Sequence, residues 1–264
     1  MVQLKLSKLN KSKVHILKNI IKIFVFKSFK NTTYSLKNIK NKQIVIHHHF
    51  GLGDIIICNG LVNYISSRVK KIYLPIEKKY FEQTQFLYKD NNKVKVIEIE
   101  NKNEIYKLFK HLKILRVGFE KNYGKFNKSF YDQLKLPYRY SFNYFHIPKD
   151  HKKEEELFLH LKSFYKIRGK YNLIHNQSSY GKVNFQVNNE YGCIFVDKDS
   201  DIFKNLFLYT KVIEQAAEIH CVDSSLLHLV ERVNTDAELY FHYKKKDNQS
   251  SEKLELKKNW NIII

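Results

Sequence analysis

Apolar and polar positions along this chain switch repeatedly between two spacings. In residues 43–69 a β-branched run, Ile44, Val45 and Ile46, gives way to three histidines and a Gly-Leu-Gly turn, then to Ile55, Ile56, Ile57, Leu61, Val62 and Ile65. Stiff β-branched side chains favour a strand. Ile57, Leu61 and Ile65 recur at helical spacing, with Asn59, Asn63 and Ser66 on the other side. The stretch therefore predicts strand, glycine turn and helix, with Asp54 where the helix begins.

The same alternation continues. Residues 71–76 and 94–99 predict strands, 79–88 a helix, 104–112 a helix with Ile105, Leu108 and Phe109 inward, and 114–117 a fourth strand. Strands alternating with helices imply a parallel sheet with right-handed crossovers. Residues 118–148 lose the regularity and crowd with aromatics, read as a short helix and a loop. Residues 154–165 predict a strong helix through Leu157, Phe158, Leu161, Phe164 and Tyr165. Beyond it, strands are expected at 171–175, 191–196, 219–222 and 237–243, helices at 206–217 and 224–232, and a polar tail at 244–258. The expected organisation is α/β: a basic leader (1–42), an N-terminal Rossmann-like unit (43–167) and a C-terminal one (168–264).

Composition narrows the classes. Hydrophobic residues make up 43% and aromatics 14%, so a core can be buried and wholesale disorder is excluded. Cys58, Cys193 and Cys221 stand far apart in apolar runs, with neither metal-site spacing nor a disulfide framework, which suits a reducing, cytoplasmic setting. Net charge is +21, and the first 42 residues hold eleven lysines and no acid. Such a chain is drawn to anions: phosphates, nucleic acid or an acidic membrane surface. Within the leader, Leu17, Ile20, Ile21 and Phe24 share a helical face with lysines opposite, a pattern for peripheral contact with anionic lipid at the inner face of a membrane. Its apolar run falls far short of the ~20 residues that span a bilayer. No nucleic-acid reader motif is present, so specific nucleic-acid binding is not expected.

Two turns carry candidate chemistry. Gly51 and Gly53 fit a ligand-binding strand-to-helix turn, and they also fit a turn that merely needs glycine, with Asp54 as a cap. The third glycine of a dinucleotide fingerprint is missing. In the second unit, Asp223, Ser224 and Ser225 supply oxygens at a helix start, where free N–H groups bind phosphate, and His228 lies one turn on. A plain N-cap is the competing reading. The strand ending at His175 runs into Ser178, Ser179, Gly181 and Lys182, small and basic residues that suit an anion-binding loop. His47, His48 and His49 fit either a structural role or cleft-lining donors, His49 being the candidate, better than a metal site, and no metal is expected.

Taken together, Gly53-Asp54 and Asp223-Ser224-Ser225-Leu226-Leu227-His228-Leu229 resemble the G-D and D-S-G-P-x-H-L turns of GT-B glycosyltransferases, especially the heptosyltransferase-like group. Ser225-Leu226 replaces Gly-Pro. The resemblance implies two Rossmann-like domains facing a cleft, a nucleotide-sugar donor held by the second domain, and a glycan or glycolipid acceptor. It implies inverting, metal-independent transfer without a cofactor, with Asp54 as general base. A nucleic-acid-binding protein, or a non-catalytic carbohydrate-binding descendant of the fold, is the alternative.

Overall fold

The predicted alternation resolves into two parallel five-stranded sheets. The structure, a computed structural model, describes residues 31–119, 125–178, 181–187, 190–243 and 254–263. The first sheet contains β1 (Thr32–Thr33), β2 (Gln43–His47), β3 (Lys71–Glu77), β4 (Val94–Ile99) and β5 (Lys113–Arg116), in the order β1-β5-β2-β3-β4. Its helices are α1 (Leu52–Ser66), α2 (Lys78–Leu87) and α3 (Glu104–Leu108). The connecting region holds α4 (Phe126–Asp132), α5 (Tyr140–Asn143) and α6 (His151–Phe164). In the second sheet β6 (Tyr171–His175), β9 (Gly192–Phe195), β10 (Glu218–Cys221), β11 (Glu238–His242) and β12 (Asn261–Ile263) run in the order β12-β11-β10-β6-β9. Between β6 and β9 a hairpin pairs β7 (Gln177–Ser178) with β8 (Gly181–Lys182). A 3-10 turn (Leu206–Leu208), α7 (Thr210–Glu214) and α8 (Ser225–Val230) complete the unit.

Several expectations shift. The first sheet begins inside the stretch read as leader, because Thr32 and Thr33 pair with Ile114 and Leu115. The helix expected at 104–112 stops at Leu108, which is 57% exposed rather than inward, as the chain turns at Phe109 to enter β5. Phe164 is likewise exposed. The helix expected at 206–217 splits, since the Asn205 side chain caps Phe207 N–H and holds a tight turn before α7. Part of the polar tail, residues 244–253, lies outside the described residues, but its end folds back. Leu254 is buried, and β12 extends the second sheet beside β11. Glu231, buried at the end of α8, fastens this return by accepting from Lys257 N (2.6 Å), Lys258 N (3.1 Å) and Trp260 Nε1 (2.8 Å).

α1 sits at the centre. Ten of its fifteen residues are buried, including Asn59 and Ser66, so the polar side read from the sequence is an internal interface. Asn91 Nδ2 donates to Asn63 Oδ1 and Ser66 Oγ, and Asn59 Oδ1 accepts from His146 N–H. Most buried amides in a core are bonded in this way. Gly60 lets α5 approach: a Cβ there would lie 2.4 Å from Tyr140 O and 3.0 Å from Ser141 Cα. Arg232 closes the seam from the second unit, donating to His228 O (2.7 Å) and to Ser141 O and Oγ, with its guanidinium over Phe142. One apolar cluster spans both sheets, from Ile44 and Ile46 through α1 to Leu173, Ile219 and Leu227.

Candidate functional site

The carboxyl end of β2 leads through the histidines into α1. Gly51 is the N-cap, and Asp54, three residues on, turns its carboxylate back so that Oδ2 accepts Gly51 N–H at 3.1 Å. This is one half of a capping box, since glycine has no side chain to return the bond. A Cβ on Gly51 would stand 2.7 Å from that same oxygen, so a side chain there would displace the Asp54 carboxylate. Burial pushes the Asp54 carboxyl up to about 7. The Gly51 N–H opposes that rise, Asp223 adds to it, and Lys102 again opposes it. Asp54 and Asp223, far apart in sequence, thus feel each other across the two units.

The second turn faces the first. β10 delivers Val222, whose N–H bonds to His175 O, and the chain then passes Asp223 and Ser224 into α8. Ser224 is the N-cap by position, but its hydroxyl makes no cap bond. It engages His175 Nδ1 at 2.8 Å instead. The plain N-cap reading of this turn therefore fails. First-turn amides have no intrahelical partners, and among the described residues no side chain accepts from them. His228 is 4% exposed, with Nε2 3.8 Å from Asp223 Oδ1. Burial, with Arg232 adding, drives it down to about 3, so it is a neutral imidazole. Burial likewise lowers His175 to about 4 and raises Asp223.

Gly53 is where the helices touch. A Cβ on it would lie 3.0 Å from His228 Cδ2 and 3.8 Å from Ser225 Cα. The structure thus brings Gly51, Gly53, Asp54, Asp223, Ser224, Ser225, His228 and His175 to one seam between the sheets. Among the described residues, Lys182 and His49 show no direct bond to this seam. Ser178 and Lys182 belong to the β7–β8 hairpin where a loop was expected. Ser178 Oγ donates to Gly181 O, and Lys182 is exposed opposite Gln177. Ser179 lies outside the described residues. His49 is half-buried among Phe119 (4.7 Å between ring centroids), Phe130 (5.6 Å) and Phe126 (6.1 Å), and burial lowers its pKa. His47 meets the same Phe119 ring and is lowered by burial to about 3; buried His48 is lowered to about 4. Among the described residues no group of three or more His, Cys, Asp or Glu could hold a metal.

Residues missed from the sequence also adjoin the site. Lys102, just past β4, acts electrostatically on Asp54, His47 and His49. Its position after a strand at the carboxyl edge was the available signal. Arg232 had no such signal, because its partners Ser141 and Phe142 come from a distant part of the chain. Two cavities, of about 590 and 530 Å³, lie elsewhere, at the amino end of the first sheet. No described helix is long and apolar enough to cross a membrane.

No family model matches this chain, and no curated protein matches it. Among solved structures it is similar to the crystal structure of the glycosyl transferase family 9 from Veillonella parvula DSM 2008. The two are 11% identical, with a TM-score of 0.50 over 80% of this chain and 82% of that one. At that identity the likeness is one of architecture: the chain has a two-domain, Rossmann-like GT-B fold.

Proposed function

We propose that this protein is a glycosyltransferase that moves a sugar from a nucleoside-diphosphate donor to a hydroxyl of a glycan or glycolipid. The observation that carries the reading is the placement of Asp54 beside the Asp223-Ser224-Ser225 turn, at the meeting point of two carboxyl-terminal sheet edges, where open α/β folds bind ligands. The architecture shared with a glycosyl transferase supports it. In the reaction, the acceptor oxygen bonds to the anomeric carbon while the bond to the diphosphate breaks. The hydroxyl proton passes to Asp54, and inversion follows from attack opposite the leaving group. A carboxylate whose pKa sits near 7 is better matched to this proton than an ordinary one. The departing diphosphate gathers charge, and the uncovered amides of α8, the Ser225 hydroxyl and Lys102 supply donors to it without a metal. His228 and His175, both neutral, act by holding the turn.

A non-catalytic, carbohydrate-binding role is the second reading. It is favoured by the contact of Gly53 with His228, which closes the floor of the cleft. Two measurements separate the readings. Thermal shift with nucleoside diphosphates at ~100 times their dissociation constant should add about 2.7 kcal/mol of stability. Asp54→Asn should keep that shift and abolish transfer, and wild-type transfer should rise with pH through about 7 as the carboxylate ionises. Diphosphate binding without transfer in the wild type establishes the second reading. Transfer by Asp54→Asn within a few-fold of wild type removes Asp54 as the base.

A further inference from the structure

One face of the second sheet carries a cluster of titratable rings that the proposed reaction does not use. Parallel register sets Glu218 beside Glu238 and Asn172, and His220 beside Tyr240 and Ile174. Alternation along β11 puts His242 on the same side as Tyr240. The opposite face, with Leu173, Ile219, Leu239 and Phe241, belongs to the apolar cluster shared with α1. His220 and His242 are both buried. His220 Nε2 meets Glu218 Oε2 at 3.0 Å, and its Nδ1 meets His242 Nε2 at 2.9 Å. A carboxylate only accepts. His220 therefore donates from Nε2 and accepts at Nδ1, and His242 donates from Nε2. The chain of bonds ends at His242 Nδ1, a buried nitrogen without a partner.

Two rings cover the pair. Tyr240 lies 4.6 Å from the His220 ring at an interplanar angle of 5°, and its hydroxyl donates to Glu238 Oε2 at 2.7 Å. Phe185 lies 3.6 Å from the His242 ring at 7°, and 6.4 Å from the His220 ring. Phe185 comes from residues 183–187, which leave the β7–β8 hairpin and cross this face. Val183, Phe185 and Val187 are half-buried while Asn184 and Gln186 are exposed, the alternation of an extended segment laid flat. Val183 N–H ties the segment to Asn176 O at 2.8 Å, and among the described residues no further backbone hydrogen bond holds 184–187. Phe185 is thus the clamp. Asn176 follows His175, the last residue of β6, which lies between β9 and β10 in the sheet. The clamp therefore fixes the hairpin beside the ring that engages Ser224.

One added proton breaks this arrangement. Whichever ring takes it, the bond chain then carries an N–H at His242 Nδ1, where no acceptor lies. An unpaired buried donor is costly, and water reaches that nitrogen only when Phe185 leaves the ring. We propose that residues 183–187 are an acid-released strap: Phe185 clamps them on the second sheet while the His220–His242 pair is neutral, and they lift when the pair takes up a proton. Among the described residues, the other charged and titratable groups on this face are Glu218, Tyr240 and Glu238, with Cys193, Tyr191, Glu190 and Lys170 at the β9 edge. The strap itself contributes none. The carboxylates attract the added proton, and burial opposes it. Burial, with His220 adding, lowers His242 to about 4; burial also lowers His220, against the bond from Glu218. Closure is therefore complete above the ordinary 6.5 and is lost as pH falls toward 4. With the opened ring back at 6.5, proton uptake at pH 5 favours the open form by about thirtyfold. Closure is a property of the second sheet and does not depend on the glycosyl-transfer reading.

The test is NMR of the full chain, labelled in histidine and phenylalanine and titrated from pH 7.5 to pH 4.5. Nuclear Overhauser contacts between the Phe185 and His242 rings should be present at pH 7.5 and vanish between pH 6.5 and pH 4.5, while near-ultraviolet circular dichroism keeps its native form. Phe185→Ala should raise the His242 titration midpoint by at least about one pH unit, toward the ordinary value, and Phe185→Tyr should restore it. Phe195→Ala removes an exposed ring at the end of β9 that meets Tyr165, and should leave the midpoint where it was. Contacts that persist in the folded protein at pH 4.5 overturn the proposal, as do contacts that disappear only when the whole chain unfolds. An equal His242 midpoint in Phe185→Ala and wild type overturns it too. Should Phe185→Ala not fold, the wild-type titration decides alone.

Discussion

Replacing Gly60 by alanine tests whether the central seam is as tight as its geometry indicates. By helix propensity alone the change should help, since alanine in a helix interior is favoured over glycine by about 1 kcal/mol. The seam reverses that. The new methyl would stand 2.4 Å from Tyr140 O and 3.0 Å from Ser141 Cα, both backbone atoms. An ordinary carbon contact is ~3.5 Å or more, so α5 would have to retreat by about 1 Å. It is not free to do so. Ser141 Oγ donates to Ile57 O at 3.3 Å, Tyr131 OH donates to the same carbonyl at 2.8 Å, and Arg232 holds Ser141 from the other side. Overpacking of this kind costs about 1–3 kcal/mol, and loosening these bonds adds about 1 kcal/mol. The net expectation is a loss of about 2 kcal/mol. Urea denaturation of the variant, set against Gly169→Ala, reads this directly. Gly169 has nothing within 4 Å of its would-be Cβ and should be near neutral. An unchanged or raised midpoint for Gly60→Ala would mean that α1 and α5 do not meet as described.

Two further outcomes are expected. Glu231→Ala removes a buried acceptor of three hydrogen bonds to residues 257–260, and should cost about 3 kcal/mol and speed hydrogen exchange in β12; unchanged exchange there would show that β12 docks without it. Acid should destabilise the protein. His47, His48, His175 and His228 have folded pKa values of about 3 to 4, below the ordinary 6.5, so the stability they contribute is full above 6.5 and lost as pH falls toward 4. Asp54, with its raised value, works the other way, losing its contribution as pH rises through about 7. His49, His220 and His242 are lowered too, and Asp201 and Asp223 are raised like Asp54. The lowered histidines outnumber the raised carboxyls, so the urea midpoint should drop between pH 6.5 and pH 4.5, and a flat profile there would contradict the burial of these rings.

The strand-and-helix alternation of the first sheet was legible because parallel strands buried on both faces read as apolar runs. So was Asp54 as a helix-start acid. What escaped was everything decided by distant partners. The polar stripe of Asn59, Asn63 and Ser66 looks solvent-facing until Asn91 and His146 arrive to bond it. Ser224 looks like a cap until His175, forty-nine residues earlier, takes its hydroxyl. The return of residues 254–263 depends on Glu231, which no local pattern marks as an acceptor. In the hairpin at 177–182, two-residue strands carry too little periodicity to distinguish from a loop.

The apolar cluster that runs unbroken through α1 bears on how this molecule could be rebuilt. Proteins made of two sheets invite exchange of halves, one graft supplying each ligand. Here α1 lends its sides to both, with Gly53 fitted against the His228 ring and Gly60 against the α5 backbone. A foreign second half would meet a helix surface cut for another partner, and a foreign first half would leave Arg232 without Ser141. Recombination would succeed only at crossover points that carry α1, α5 and α8 together, so that these three helices, rather than either sheet, are the unit that is inherited whole.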